Sequence, residues 1–525
     1  MKRILFALCL GSTLWTTSCV AVIPLIVYGA GMGAATGAGF YGTKALLDPS
    51  QAPPQSPQSN QNSAQSTPNS PPFDVIGSES TVPEILASLK PGSTVAVTDI
   101  LADELDGGDA ALARLERGRI ASIVTKPDTS IPEFVAAIAK IEEFDQRATV
   151  SASDVGAHAA ALVVNDTMIP YEPDGFEKVL AYHFQALNYL SKKDLEGAGV
   201  EVRRANAEQV TALKAHEAEV AKAENEAKDK GFKTSDFAAS VSTLLGDSQV
   251  VAGQVKNSFQ NAYTFYMSGV VHELLHEPND AYIDYKKALE IYPTNPYVQQ
   301  DVARLAAELH MLDDVAAFTK QLKISGNLRA TEKRAGVDVI VLFEDGLVPP
   351  KSPIAYAIPI PIPSALALTA IAIPTFKVSL IPAQPLVVTV AGKELGKTAT
   401  ICHIDALAVK AFEEKAPAMI ARQIVRAAIK AAASGAASKY GGAAAGAAVG
   451  ILNKLTEKAD TRSWRSLPQN AQVFRGIVPV GSEIKLFDPA SGKSNSFTAP
   501  RTNSSRIIVR ATRLNGNLFV SHVEI

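Results

Sequence analysis

The sequence predicts an α+β protein: an N-terminal α-helical, tetratricopeptide-like solenoid followed by a β-sandwich-like domain with an inserted Ala-rich helical segment. Three observations predict it. Helical periodicity dominates residues 82–322, β-branched runs bounded by turn residues take over after Arg334, and an alanine-rich helical pattern interrupts those runs over 404–457. The 525 residues are enough to bury sizeable cores, and 50 basic against 53 acidic residues leave a net charge of −3. No global basic field recruits nucleic acid. Beyond Cys9 and Cys19 the body holds only Cys402, which excludes an intramolecular disulfide framework there.

From the N-terminus, Met1-Lys2-Arg3, the apolar run 4–10 and the small-residue end Thr17-Ser18-Cys19 read as a signal peptide over 1–19. Ser18-Cys19 resembles the cleavage site of bacterial lipoproteins, although Thr16 stands where a leucine is usual. Lipidation of Cys19, simple cleavage and an uncleaved anchor are the open outcomes. Residues 20–46 form a Gly-rich apolar segment with no charge before Lys44, and Gly29, Gly33 and Gly37 make a GxxxGxxxG series. Such a series lets helices approach closely in membranes, and the apolar stretch 20–28 offers a second anchoring signal beside an acyl chain. A flexible tether is the competing reading. Residues 47–74, a Pro/Ser/Gln-rich stretch, cannot bury enough surface to fold and are a disordered linker.

The helical region spans 75–330. Its clearest unit is 261–293, where Phe265, Gly269, Ala281, Tyr285, Ala288 and Pro293 fall at the spacing of a tetratricopeptide repeat. Gly269 and Ala281 let two antiparallel helices touch, Phe265 and Tyr285 fill the space between them, and Pro293 stops the second. A weaker copy carries Tyr182, Ala186, Tyr189, Ala198 and Ala205, with its turn at 191–194. A third has Gly118, Phe134 and Ala137 in register. The long, charge-alternating stretch 201–233 reads as an exposed helix extending one repeat, with a coiled-coil partner site as the alternative.

His272-Glu273-Leu274-Leu275-His276 matches HExxH, in which two histidines one turn apart bind zinc and the glutamate activates water. Against zinc stand the place of His272 on a packing position, the place of His276 in a turn just before Pro278, and the lack of a suitably spaced third ligand. Cys402-His403 invites a nucleophile reading, but neighbours on a strand face opposite sides. A buried structural cysteine is the expectation.

The mixed β domain spans 335–525. Strands are expected at 337–343, 386–390, 398–403, 472–478, 484–487, 506–512 and 518–523. Residues 354–376 carry no charge. Their Ile-Pro alternation at 358–363 excludes a helix and places the segment at a sheet edge or in a hairpin, either covered by the protein's own helices or exposed to a partner or membrane. The helical insertion 404–457 has an expected break at Pro417, and its alanine-dominated part 416–455 is too poor in bulk to contribute to a core and suits close packing on the sheet or an oligomer contact.

Several stretches together resemble an uncharacterised family of bacterial envelope lipoproteins with tetratricopeptide-like helices ahead of a mixed β domain. They are 164–166 with Tyr171-Glu172 and 176–180, then 279–285, 341–346 and the Asp460-Thr461-Arg462-Ser463-Trp464 run. The last reads as a joint in which Trp464 anchors and Asp460 pairs with Arg462. The family lies beside lipoproteins that activate penicillin-binding proteins, which implies a role in cell-wall or outer-membrane assembly. The expectation is therefore a non-enzymatic scaffold without cofactor or metal, lipid-anchored at the periplasmic face of the outer membrane, with protein partners in the envelope. An oligomeric membrane-associated component is the alternative, and a zinc hydrolase a third.

Overall fold

The computed structural model describes residues 81–151, 170–229, 246, 248–322, 335–362, 365–378, 382–416, 419–420, 423, 459–502 and 505–525, without the side chains of 147–151, 213, 215–229 and 355–371. All of these belong to one compact unit, Pro72–Ile525. The expected signal peptide, Cys19, the Gly-rich segment, the linker, Pro417 and most of the Ala-rich insertion lie outside the described residues.

The helical part contains α1 (Val82–Ser88), α2 (Ala110–Ile123), α3 (Pro127–Ser151), α4 (Gly175–Ser191), α5 (Leu195–Asp229), α6 (Ser248–Ala252), α7 (Ala262–Leu274), α8 (Pro278–Ile291), α9 (Pro296–Glu308) and α10 (Leu312–Gln321). Local chemistry sets their starts. Asn261 accepts from the Tyr263 and Thr264 amides at α7, Asn295 does the same for Tyr297 and Val298 at α9, and Asp174 with Glu177 forms a capping box at α4. Pro278 and Pro296 occupy first-turn positions that need no amide donor.

Antiparallel pairs α2/α3, α4/α5, α7/α8 and α9/α10 share one plan. A small residue in the first helix, Gly118, Ala186, Gly269 or Ala303, is followed at one constant interval by a residue in the left-handed region, Thr125, Lys193, His276 or His310. That residue turns the chain back. The small residue makes room for the returning helix: a Cβ on Gly118 would lie 2.8 Å from the Phe134 ring, and one on Gly269 would lie 2.6 Å from that of Tyr285. Phe265, Ala281, Tyr285 and Ala288 are all buried. The Pro293 carbonyl follows the end of α8 and accepts from Gln299.

Three sheets follow. Strands β1 (Val337–Asp345), β6 (Ala399–His403), β7 (Asn470–Val478), β10 (Arg506–Leu514) and β11 (Asn517–Glu524) make a five-stranded sheet in the order β11-β10-β1-β7-β6. Strands β4 (Val387–Val390), β5 (Lys393–Lys397), β8 (Glu483–Phe487) and β9 (Ser494–Thr498) make a four-stranded sheet, and β2 (Lys351–Ile362) with β3 (Ala365–Phe376) makes a separate hairpin. A helix over 404–416 follows β6.

The five-stranded sheet is the central layer. On one face Val337, Val339, Val341 and Phe343 of β1 pack with Val388, Ile484 and Leu486 of the four-stranded sheet and with Leu386 just before it, a sandwich core. On the other, Ile340 and Leu342 share a core with Phe184, Tyr263, Tyr285, Leu407 and Trp464. Burial on both faces explains why β1 reads as a continuous β-branched run rather than an alternating one. Helices and sheet therefore share one hydrophobic core.

Candidate functional site

Two carboxylates, Asp338 and Glu344, end the row of β1 residues that faces the helices, and each meets arginine there. Asp338 receives Arg475 Nη2 at 2.6 Å and Arg506 Nε at 2.9 Å. Arg475 also reaches Glu273 at 2.7 Å on α7 and Asp301 at 2.9 Å on α9. Arg304 and Arg506 reach the same Glu273 at 2.7 and 3.1 Å, and the Tyr285 hydroxyl donates to it at 2.6 Å. Tyr266 donates to Asp301. Three carboxylates thus balance three guanidinium groups between the repeat and the sheet.

Glu273 is the glutamate of the HExxH match. Both of its oxygens are occupied by cations and its side chain is 7% exposed. Burial by itself pushes its carboxyl up, but Arg475, Arg304 and Arg506 outweigh that and hold it well below the usual carboxylate range. A general base needs a pKa near the working pH and a free lone pair, and this carboxylate has neither. The two histidines are separated as well. Helix α7 ends at Leu274, and His276 is the left-handed turn residue at φ +61°, so the motif does not lie along one helical face.

His272 is buried and turns elsewhere: its Nδ1 lies 2.6 Å from Glu277 Oε2, and its Nε2 lies 3.6 Å from Asp284. His272, Glu277 and Asp280 bring ligand atoms within 4.8 Å of one another, the one such His/Cys/Asp/Glu group among the described residues. Histidine with two carboxylates suits zinc or another borderline divalent cation. Arg203 Nη2 competes for it, donating to both Glu277 oxygens at 3.0 and 3.1 Å.

A cavity of about 380 Å³ lies where α7, the end of α8 and β6 meet, lined by Lys256, Gln260, Tyr292, Cys402 and His403 among others. Cys402 and His403 both border it. A bulge between Thr400 and Cys402 breaks the simple alternation that would send them to opposite faces. Burial, reinforced by Asp405, pushes the Cys402 thiol well up, so it stays protonated and is a poor nucleophile. His403 lies 3.5 Å from the Tyr292 hydroxyl, and burial moves its imidazole toward the neutral form against the pull of Asp405.

The 460–466 run threads across the helices. Arg462 pairs with Asp460 at 2.6 Å and with Asp109 of the loop before α2 at 2.5 Å. Trp464 is 1% exposed, lies against Phe134 and Phe184, and donates its indole N–H to Ser466 at 2.9 Å. Its amide donates to Glu177, while the amides of Arg465 and Ser466 donate to Glu116. Two buried helix carboxylates thus hold the backbone of Trp464 and of the turn that follows it. Burial pushes Glu116 up to about 7 despite those hydrogen bonds. Glu116 and the arginines Arg304, Arg475 and Arg506 lie far from their partners in sequence or carry no local motif that marks them.

Among the described residues no helix is long and apolar enough to cross a membrane. Comparison with known proteins found no matching family model, no matching curated protein and no matching solved structure.

Proposed function

We propose that this protein is a non-enzymatic scaffold of a bacterial cell envelope, lipid-anchored through Cys19, which presents its helix pairs to a protein partner in cell-wall or outer-membrane assembly. The observation that carries the reading is the engagement of Glu273: the one residue that could activate water in the HExxH match instead joins the repeat to the sheet. Helix pairs packed into one core with a sheet suit recognition, because little order has to be gained on binding. Exposed apolar residues on three of the helices, Val135, Val210 and Ile283, offer contact points. The envelope and lipid-anchor parts rest on the N-terminal pattern and the family resemblance.

A photo-cross-linking residue at Ile283, introduced into the full chain in its native host, tests this. A discrete adduct in the envelope fraction, absent when the residue is placed at exposed Lys493 instead, is the expected result. Recovery of the chain outside the envelope, or no adduct from any exposed helical position, would sink the reading.

A second reading, a metal-dependent activity, is favoured by one observation, the clustering of His272, Glu277 and Asp280. Metal content decides between the two.

A further inference from the structure

The β2–β3 hairpin is an unusual element. Its two strands of 12 residues pair with each other along their whole length, and neither has a second neighbour among the described strands. At its base Ile373 and Phe376 join the main core, Phe376 lies against Phe412, and its carbonyl accepts from Ser248. A two-stranded ribbon is marginal in water by itself and gains stability from further strands.

The two open edges differ. In an antiparallel pair alternate residues direct their N–H and C=O groups to the partner strand or away from it. Pro353, Pro359 and Pro361 share one parity on β2, and Pro374, opposite Pro353, shares it on β3. Proline has no N–H, so a continuous ladder accommodates these four only where the donor would point outward. The outward edge of β2 therefore lacks three donors and is a poor template for another strand. Along β3 the outward positions Leu366, Leu368, Ala370 and Ala372 all keep their donors, and 365–373 contains neither proline nor charge.

That stretch reads Ala-Leu-Ala-Leu-Thr-Ala-Ile-Ala-Ile, and it is complementary to itself when reversed. With Thr369 opposite Thr369 of a second copy, Ala365 faces Ile373, Leu366 faces Ala372, Ala367 faces Ile371 and Leu368 faces Ala370. Every pair but the central one sets a small residue against a large one. Thr369, opposite Ile358, has the parity that bonds inward to β2. The Thr–Thr pair is then a non-hydrogen-bonded pair, where facing residues come closest and threonines interact favourably.

We propose that the open edge of β3 joins the β3 edge of a second copy of this chain, making a four-stranded antiparallel sheet across a two-fold axis at Thr369. The blocked edge of β2 ends the sheet on both sides, so the assembly closes as a dimer rather than growing into a fibre. The inference is independent of the scaffold reading and would stand if the partner-binding role fell.

The test uses the full chain in a mild non-ionic detergent. At a non-hydrogen-bonded pair the Cα atoms are about 4.5 Å apart, within disulfide range. Thr369→Cys should give a covalent dimer under mild oxidant, and light scattering of the unmodified chain should give twice the mass of one copy. Ala365→Cys carries the same three native cysteines but places its two copies about 26 Å apart along the strands, so it should not cross-link above the unmodified chain. Adding Ala370→Pro to Thr369→Cys removes an outward donor only and should abolish the cross-link with far-UV circular dichroism unchanged. A monomer, a series of higher oligomers, equal cross-linking of the two cysteine variants, or a cross-link that survives Ala370→Pro would each overturn the proposal.

Discussion

Arg475→Met removes the centre of the charge network while keeping much of the side-chain volume. Arg475 is 9% exposed, and its partners Glu273, Asp301 and Asp338 are 7%, 3% and 15% exposed. After the change three carboxylates face only Arg304 and Arg506, leaving one buried negative charge without a counterpart. Breaking a buried pair from one side typically destabilises by about 3–5 kcal/mol, against total stabilities of about 5–15 kcal/mol. Urea unfolding of the full chain, followed by tryptophan fluorescence, should therefore show a loss of that size. Adding Glu273→Leu to Arg475→Met should recover part of it, because the uncompensated charge goes with the glutamate. A loss below about 0.5 kcal/mol, the size typical of exposed pairs, would refute the claim that this network joins helices to sheet.

Three further outcomes are expected. Gly269→Ala gains about 1 kcal/mol of helix propensity but forces a Cβ to within 2.6 Å of the Tyr285 ring, and overpacking of about 1–3 kcal/mol should make the net effect destabilising in the same unfolding assay. Trp464→Ala should lose about 3–5 kcal/mol in urea unfolding followed by far-UV circular dichroism, since it empties the space against Phe134 and Phe184; near-neutral behaviour would mean that 460–466 does not clamp the helices. For pH, Glu116 holds its proton up to about 7 in the folded chain but ionises near 4.5 when unfolded, so stability should fall by roughly 3 kcal/mol as pH rises between those values. Burial raises the Glu273 and Asp338 carboxyls, but their arginines win and hold both low, so the stability they contribute is present above the usual carboxylate range and lost as pH falls below it. Glu116→Gln should flatten the neutral limb of the stability curve and leave the acid limb in place.

What the sequence made legible follows from local physics. Gly269 and Tyr285 announce a helix pair because their spacing is set by one turn and two touching helices. The core strands announce themselves by β-branched runs. Strands β5 and β9 leave no sequence signal, because Lys393–Lys397 and Ser494–Thr498 are short, polar and mostly exposed, so no apolar alternation marks them. The pair α9/α10 repeats the plan with Thr319 where Tyr285 stands in its neighbour. His276 was legible as a turn residue, and the same turn recurs at Thr125, Lys193 and His310. The charge network was not legible. It depends on registers, Asp338 beside Arg506 and Ile340 beside Arg475, that join strands more than a hundred residues apart.

The claim that the HExxH match is structural is tested most directly by metal analysis of the purified full chain together with its Glu273→Gln variant. The expected result is no stoichiometric zinc in the unmodified chain, and a Glu273→Gln variant that loses stability because three arginines lose their shared carboxylate. One equivalent of zinc per chain, released by His276→Ala and unaffected by Arg475→Met, would contradict it.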